Sequence, residues 1–570
     1  MKWGGRNRIR PKTRFGRLKK ILKLLVLGTL IATVGILAFY ACNDRIVKVH
    51  EEEPYPLFES DFTEMDVKEY LTDDLRSKYD EHDQGPIHDI TDYGAVEAYY
   101  GGGISKEIVA NNTKAINEAI NEASKERGVV LIPKGSYVSG TIHLKSHLTL
   151  RVEGNLIGSR DRADYSPNHF ILGENITDVA VEGKGGRIMG EGEYFWNKPI
   201  LKPLDSQPRV SDVRMRQLNH YLSKREKKDN RPSPFIFFRH CENVLIRNLL
   251  INNSPGWTLT FELSNHVHVR DTVLHNNLRG GNVDGIDIVA TSNVEIERVL
   301  VSTADDGIVL KNPKTDRSVP MENITVKDAR ISSTTNGFKI GTETYSDIRH
   351  VQFCDSEILT TEFYPGAISG VALESVDGSE VSDILVDNIT MKGVLTPLFI
   401  RVGNRNKYND KDLMSKIDNA TVKNIRSVDC QLPSIMSGVK LWNEEKWTYS
   451  VLKATRVHIK NFRATYLDNE ERLLFPTIIP ESPANYPEAW MFGDVPAYGI
   501  YMRHADVTLE DVHVIPRSSN TREMIVVDDH SHERHLLTII FVLSLIFGSV
   551  AVLIGLTLLA RRKQRWEASS

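Results

Sequence analysis

The chain has 570 residues, a formal net charge of −4 and four cysteines, Cys42, Cys241, Cys354 and Cys430. That length allows a large core or several domains. The near-balanced charge leaves no electrostatic footprint for nucleic acid, and the cysteines are too few and scattered for a disulfide framework or a zinc site. The last three read as small buried apolar residues.

Residues 1–23 carry ten Lys or Arg and no acid, and precede an 18-residue apolar run, Leu24–Ala41. A basic tail before such a run predicts a transmembrane helix or signal anchor over 24–41 with residues 1–23 cytoplasmic. Cys42 directly after it raises lipidation, although bulky Phe39 and Tyr40 make a poor cleavage signal; the alternative is an ordinary Cys after a membrane helix. Residues 42–85 are acidic and proline-containing, and read as a linker with one short helix over 67–79. At the other end, residues 521–535 read as a second linker. Leu536–Ala560 is a run of 25 uncharged, mostly apolar residues followed by Arg561-Arg562-Lys563. It predicts a second transmembrane helix over 536–560 and a cytoplasmic tail over 561–570. Both ends thus place 86–520 outside a membrane, at the cell surface or in the periplasm.

Within 86–520, Ala115, Ile116, Ala119, Ile120 and Ala123 make a 3.6-period stripe and predict a helix over 112–125, capping one end of a repetitive region. In that region short alternating runs recur: 148–152, 179–182, 244–251, 267–274, 294–301, 324–331, 348–358, 384–391, 422–428, 457–464 and 507–514. Many come after an Asn or Asp (Asn243, Asn265, Asn293, Asn323, Asp383), at spacings of about 20–35 residues, the range of solenoid repeats. No comparable helical stripe intervenes, so a doubly wound α/β fold has no room for its crossovers. A β-propeller lacks its aromatic motif. The prediction is all-β: a right-handed parallel β-helix with an N-terminal capping helix and a transmembrane helix at each end. Residues 200–232 read as a charged insertion, helical over 213–227. Residues 466–500, rich in proline and aromatics, read either as the rim of a groove or as a packed end cap.

The stretch 281–311 holds Asp284, Asp305 and Asp306 in two polar turns on either side of the predicted strand 294–301. Stacked coils would bring these carboxylates together. Like charges held that close cannot all ionise freely, and one protonated acid beside ionised bases is what glycosidic cleavage needs. Alone, Asp305-Asp306-Gly307 would be an ordinary polar turn.

The motif Asn282-Val283-Asp284-Gly285-Ile286-Asp287 followed by Asp305-Asp306-Gly307 resembles the polygalacturonases of glycoside hydrolase family 28. So do Asp92-Tyr93-Gly94-Ala95-Val96, residues 141–146 and 253–257, and the later stretches 373–378, 399–405, 486–488 and 503–504, which look like a bacterial branch. The resemblance covers about residues 87–516. It implies an inverting mechanism, with Asp305 as general acid and Asp284 and Asp306 holding and deprotonating a water. It implies no cofactor and no metal. Asn282 would orient Asp284 or a sugar hydroxyl, and Lys311 would fix a carboxylate's charge. Trp257 would either stack on a sugar face or fill a coil corner.

Two departures stand out. The family's Gly-His-Gly turn is Thr335-Asn336-Gly337 here, so Asn336 retains a positioning role but no proton role. The family's Arg-x-Lys falls on Ala372 and Glu374, and an acid there would repel a uronate. Lys339, Arg401 or Arg405 could supply the missing cation, or the subsite takes a neutral sugar. The reading is a membrane-anchored hydrolase of a pectin-like or other acidic polysaccharide, rhamnogalacturonan included. The alternatives are a non-catalytic polysaccharide-binding β-helix and a β-helical lyase or epimerase.

Overall fold

The computed structural model describes residues 85–101, 104–196, 231–278, 280–314, 319–359, 366–410, 413–443, 447–467, 479–493, 495–516 and 522–528, and ten positions between 544 and 561. The expected cytoplasmic tail, first membrane span, acidic linker and both extra helices (67–79 and 213–227) lie outside these residues. The chain divides into two compact units, one made of Met1–Val49 with Val527–Ser570, the other of His50–Val526. In the first, Ser544, Gly548, Val552, residues 554–559 and Arg561 are helical. Among the described residues no helix is long and apolar enough to cross a membrane.

The second unit is a stack of parallel coils. One sheet of 17 strands and another of 12 pair in parallel from coil to coil, the early coils giving two short strands to the larger sheet and later ones a single long strand, the cross-section of a right-handed parallel β-helix. The alternating runs read from sequence all fall in the larger sheet, from Leu148–Val152 to Ala505–Pro516. Their inward Val, Ile and Leu form continuous rows: Val267, Val294, Ile324, Val351, Ile384, Ala420 and Val457 occupy one register position in successive coils. The long strands bend at a residue in the left-handed region, among them Arg298, Asp328, Asp355, Asn388, Asn424 and Asn461. Asn and Asp tolerate that conformation, because their short polar side chains bond locally. Here they bond between coils: Asn461 Nδ2 donates to Asn424, whose own Nδ2 donates to Asp387. A second ladder runs Asn323 to Asn293 to Asn265.

The first coil is closed by the helix Lys106–Ala123, capped by Ser105, whose Oγ accepts from Ile108 N at 3.2 Å. The whole predicted stripe on it is buried. It begins six residues earlier than the periodicity indicates. At the far end the strand Glu523–Val527 lies beside Ala497–Arg503 in the smaller sheet, so part of the stretch expected to be linker continues the solenoid. Cys241 and Cys430 are buried and Cys354 is partly exposed, all as free thiols.

The smaller sheet has short strands buried on both faces, such as Ile286–Val289, Ile308–Asn312 and Ser369–Ser375. Its outer face is covered over the last coils by part of the proline-rich excursion. Ile479, Ala489, Phe492 and Val495 pack on Ala372, Phe399, Ile435 and Tyr501. The two alternatives for that excursion therefore merge: it is packed against the sheet, and it walls the flank of the sheet where the polar turns gather.

Candidate active site

The turns that lead into the smaller sheet stack in register. Asp305 N donates to Val283 O, Gly285 N to Asp306 O and Gly307 N to Asn336 O, at 2.8–3.0 Å. The glycine after each polar residue is a packing requirement: a Cβ on Gly285 would strike the carbonyl of Gly307, and one on Gly307 that of Gly337. Asp284, Asp305–Asp306 and Asn336 therefore arrive from three successive coils at one flank of the sheet, as expected from sequence.

Each acid is held differently. Asp284 is buried, and Lys311 Nζ lies 3.0 Å from its Oδ2 and 2.5 Å from Asp287 Oδ1. Asp284 Oδ1 and Asp287 Oδ2 have no hydrogen-bond partner among the described residues. Asp305 is partly open to solvent, whereas Asp284 and Asp306 are buried. Its Oδ1 accepts from Thr335 Oγ1 at 2.9 Å and from Asp306 N at 3.1 Å. Asp306 Oδ1 accepts from Asn336 Nδ2 at 2.8 Å, and its Oδ2 lies 3.5 Å from Lys339 Nζ. Lys339 in turn is 3.9 Å from Glu374 Oε1.

The site thus interleaves two buried lysines with five carboxylates. Burial pushes Asp284 well above the usual carboxylate range despite the opposing Lys311, and pushes Asp287 up to about 6 in the same way. Asp305 is raised by burial and by its neighbour Asp306. Burial pushes Glu374 up to about 8, with Lys339 opposing. Burial disfavours the ammonium of Lys311, yet Asp284 and Asp287 outweigh it and hold that ammonium above its ordinary range; Asp306 and Glu374 do the same for Lys339. A carboxylic acid kept protonated beside carboxylates kept basic can transfer one proton to a leaving oxygen and take one from water.

The remaining expected residues sort by geometry. Asn282 is half-exposed and left-handed at the turn; Lys311, not Asn282, bonds Asp284. Trp257 is partly exposed with its ring over Lys311 Nζ, 3.7 Å from centroid to nitrogen. Lys339 and Glu374 are fully buried. Arg401, one of three candidates for the missing cation, is turned to protein oxygens instead. It is fully buried and donates to Ser437 Oγ and to the carbonyls of Gly438, Glu481 and Ser482. Arg405 is committed to Asp377. His504 is buried against Glu481, 3.2 Å away. Asp287 was given no role from sequence; an acid in the middle of the apolar strand Ile286–Val289 was the available signal. Tyr486, with its ring 5.5 Å from Lys339 Nζ, completes the wall. Among the described residues no His, Cys, Asp and Glu group is arranged to hold a metal ion.

The family model described as glycosyl hydrolases family 28 matches residues 124–460. The chain belongs to this family. Relatives include a probable polygalacturonase of Vitis vinifera, 25% identical over 312 residues (49% of this chain, 57% of that protein), and a polygalacturonase of Chamaecyparis obtusa, 24% identical over 353 residues (59% and 60%). The chain therefore spans less than two thirds of the length of these relatives. Among solved structures, a hyperthermoactive exopolygalacturonase from Thermotoga maritima superposes with a TM-score of 0.55 at 19% identity, covering 79% of this chain and 96% of that one. A family 28 exopolygalacturonase from Yersinia enterocolitica gives 0.53 at 17% identity, covering 78% and 77%. At these identities the likeness is one of fold.

Proposed function

We infer that this family 28 chain is an inverting glycoside hydrolase acting on a pectin-like or related acidic polysaccharide. Asp305 serves as general acid, and Asp284 with Asp306 positions and deprotonates the attacking water. The observation that carries this reading is the convergence of three carboxylates from successive coils, of which only Asp305 reaches solvent while two buried lysines balance the others. Asp305, raised by burial and Asp306, can arrive protonated at the leaving oxygen. Asp284, raised but paired with Lys311, is a stronger base than an ordinary carboxylate. Asn336 orients Asp306, the task left once histidine is absent. Family membership and polygalacturonase relatives support the substrate class. The apolar runs at both ends support anchoring to a membrane with residues 86–520 outside it.

The test incubates the chain with homogalacturonan and rhamnogalacturonan. New reducing ends without absorbance from an unsaturated product are expected. Unsaturated product would instead indicate a lyase, and binding without either would indicate a non-catalytic module. Asp305→Asn should lower turnover by roughly a hundredfold or more and spare polysaccharide binding; unchanged turnover removes Asp305 from the acid's role.

A further inference from the structure

Between the smaller-sheet strand Ser434–Ser437 and the larger-sheet strand Ala454–Tyr466, the chain leaves the solenoid as an antiparallel hairpin, Val439–Asn443 with Thr448–Leu452. Its register pairs Lys440 with Val451 and Trp442 with Tyr449, so these four share one face. Val439 and Leu452 are buried, while Trp442, Tyr449 and Val451 are 46%, 50% and 45% exposed. Trp447, in the turn, is 83% exposed. The rings make a cluster: Trp442 lies edge-on to Tyr449 at 4.9 Å and to Trp447 at 6.0 Å, with Lys440 Nζ 4.7 Å from the Tyr449 ring.

Three aromatics left in water on one small hairpin are costly unless something covers them. The hairpin's root is firmly set. Gly438 N donates to Arg503 O, Arg401 donates to Gly438 O, and Lys440 N donates to Glu481 Oε2 at 2.8 Å. The same Arg401 also holds the carbonyls of Glu481 and Ser482. That segment runs on to Tyr486 and Glu488 beside Lys339, so the wall of the site and the root of the hairpin share one set of bonds. The strand from which the hairpin leaves, Ser434–Ser437, lies four strand spacings, about 19 Å, from Ile308–Asn312, the strand that follows Asp306.

We propose that the exposed aromatic cluster of Trp442, Trp447 and Tyr449 is a second carbohydrate site, which stacks on pyranose rings of a polysaccharide chain extending from the catalytic groove. Tyr and Trp rings offer flat apolar faces to the C–H faces of sugars and keep a polar edge for hydroxyls, and Lys440 supplies a cation toward an acidic chain. A membrane surface is the competing occupant. The occupant's chemistry rests on the polysaccharide reading of the catalytic groove; turnover and hairpin binding are tested separately.

The full chain bearing Asp305→Asn is compared with the same chain also carrying Trp442→Ala and Tyr449→Ala, by affinity electrophoresis in gels containing homogalacturonan or rhamnogalacturonan. The expected result is binding weakened roughly tenfold for the polymer retained best, with unchanged melting temperature. Trp447→Ala alone, at the most exposed ring of the cluster, should give a smaller loss of the same sign. Equal retardation of parent and variants overturns the proposal, whether or not the wild-type chain turns polymer over; so does a parent that binds neither polymer. Loss of partitioning onto phosphatidylcholine vesicles with polymer binding intact overturns it in favour of a membrane contact. Turnover by the wild-type chain, measured separately, decides the hydrolase reading.

Discussion

Two lysines shared among five carboxylates leave the site short of positive charge, and pH decides which acids go without. Glu374 shows this most directly. Its pKa rises from about 4.5 to about 8 because burial penalises its anion. A raised carboxylate stabilises the fold below its unfolded pKa and loses that contribution as pH climbs through the folded value. Glu374→Gln, a neutral isostere, should therefore melt like the wild type near pH 5 and above it near pH 9, by an amount on the order of a few kcal/mol. Parallel melting curves at both pH values would show that Glu374 ionises freely. Lys311→Met has the opposite signature. It leaves Asp284 and Asp287 buried without their ammonium, and should destabilise by about 3–5 kcal/mol at pH 8. Since both acids are raised, Asp287 to about 6, protonation should relieve much of that loss at pH 5. A loss independent of pH, read by urea unfolding, would exclude the ion cluster as its cause. The residues of this cluster were partly legible. Asp284, Asp305, Asp306 and Lys311 sit in turns and strand ends where polar residues interrupt an apolar rhythm. Arg401 was misplaced because sequence shows a cation in a strand but not which carbonyls surround it.

At the level of elements, the larger sheet announced itself because one face is core and the other solvated, which writes a period of two into the sequence. The smaller sheet did not. Its strands are buried on both faces, over the last coils by Ile479, Ala489, Phe492 and Val495 outside, so they read only as short apolar runs between turns. The segment Ile479 to Ser482 depends on two arginines. Arg401 bonds Glu481 and Ser482, and Arg503 bonds Ile479 O and Pro480 O, each at 2.7–3.0 Å. Burial and the neighbouring Arg503 press Arg401 down to about 9, so its guanidinium is held against a real penalty. Arg401→Leu would strand several buried carbonyls, at a cost of about 1–3 kcal/mol for each group left unsatisfied. Hydrogen exchange should speed up at residues 479–493 while the strand Ser292–Thr303 stays protected. Uniform acceleration of both would mean that Arg401 supports the whole stack rather than this wall.

For the whole molecule, stability arises from nearest-neighbour contact between coils, as in other solenoids. Phe338 and Phe353 stack inside the core with ring centroids 4.5 Å apart. Phe338→Ala should cost about 3–5 kcal/mol, and exchange should quicken most in the coils next to it; an effect spread evenly to Leu148–Val152 would contradict a stack of local units. The repeat, its direction and its capping helix were all readable from spacing. The hairpin at 439–452 was not, because two short strands with a few aromatics resemble one more coil until pairing shows them to run antiparallel.

The glycines that let one coil's carbonyl rest on the next make the pitch of the stack a built-in ruler for the proposed reaction. Asp284 stands one rung from Asp305 and Asp306, and that rung is set by backbone hydrogen bonds of 2.8–3.0 Å between coils, which are made or broken together. Warming or mutation elsewhere should then leave catalysis nearly untouched until two rungs part, and end it abruptly when they do. The working range of the proposed hydrolase closes at an edge.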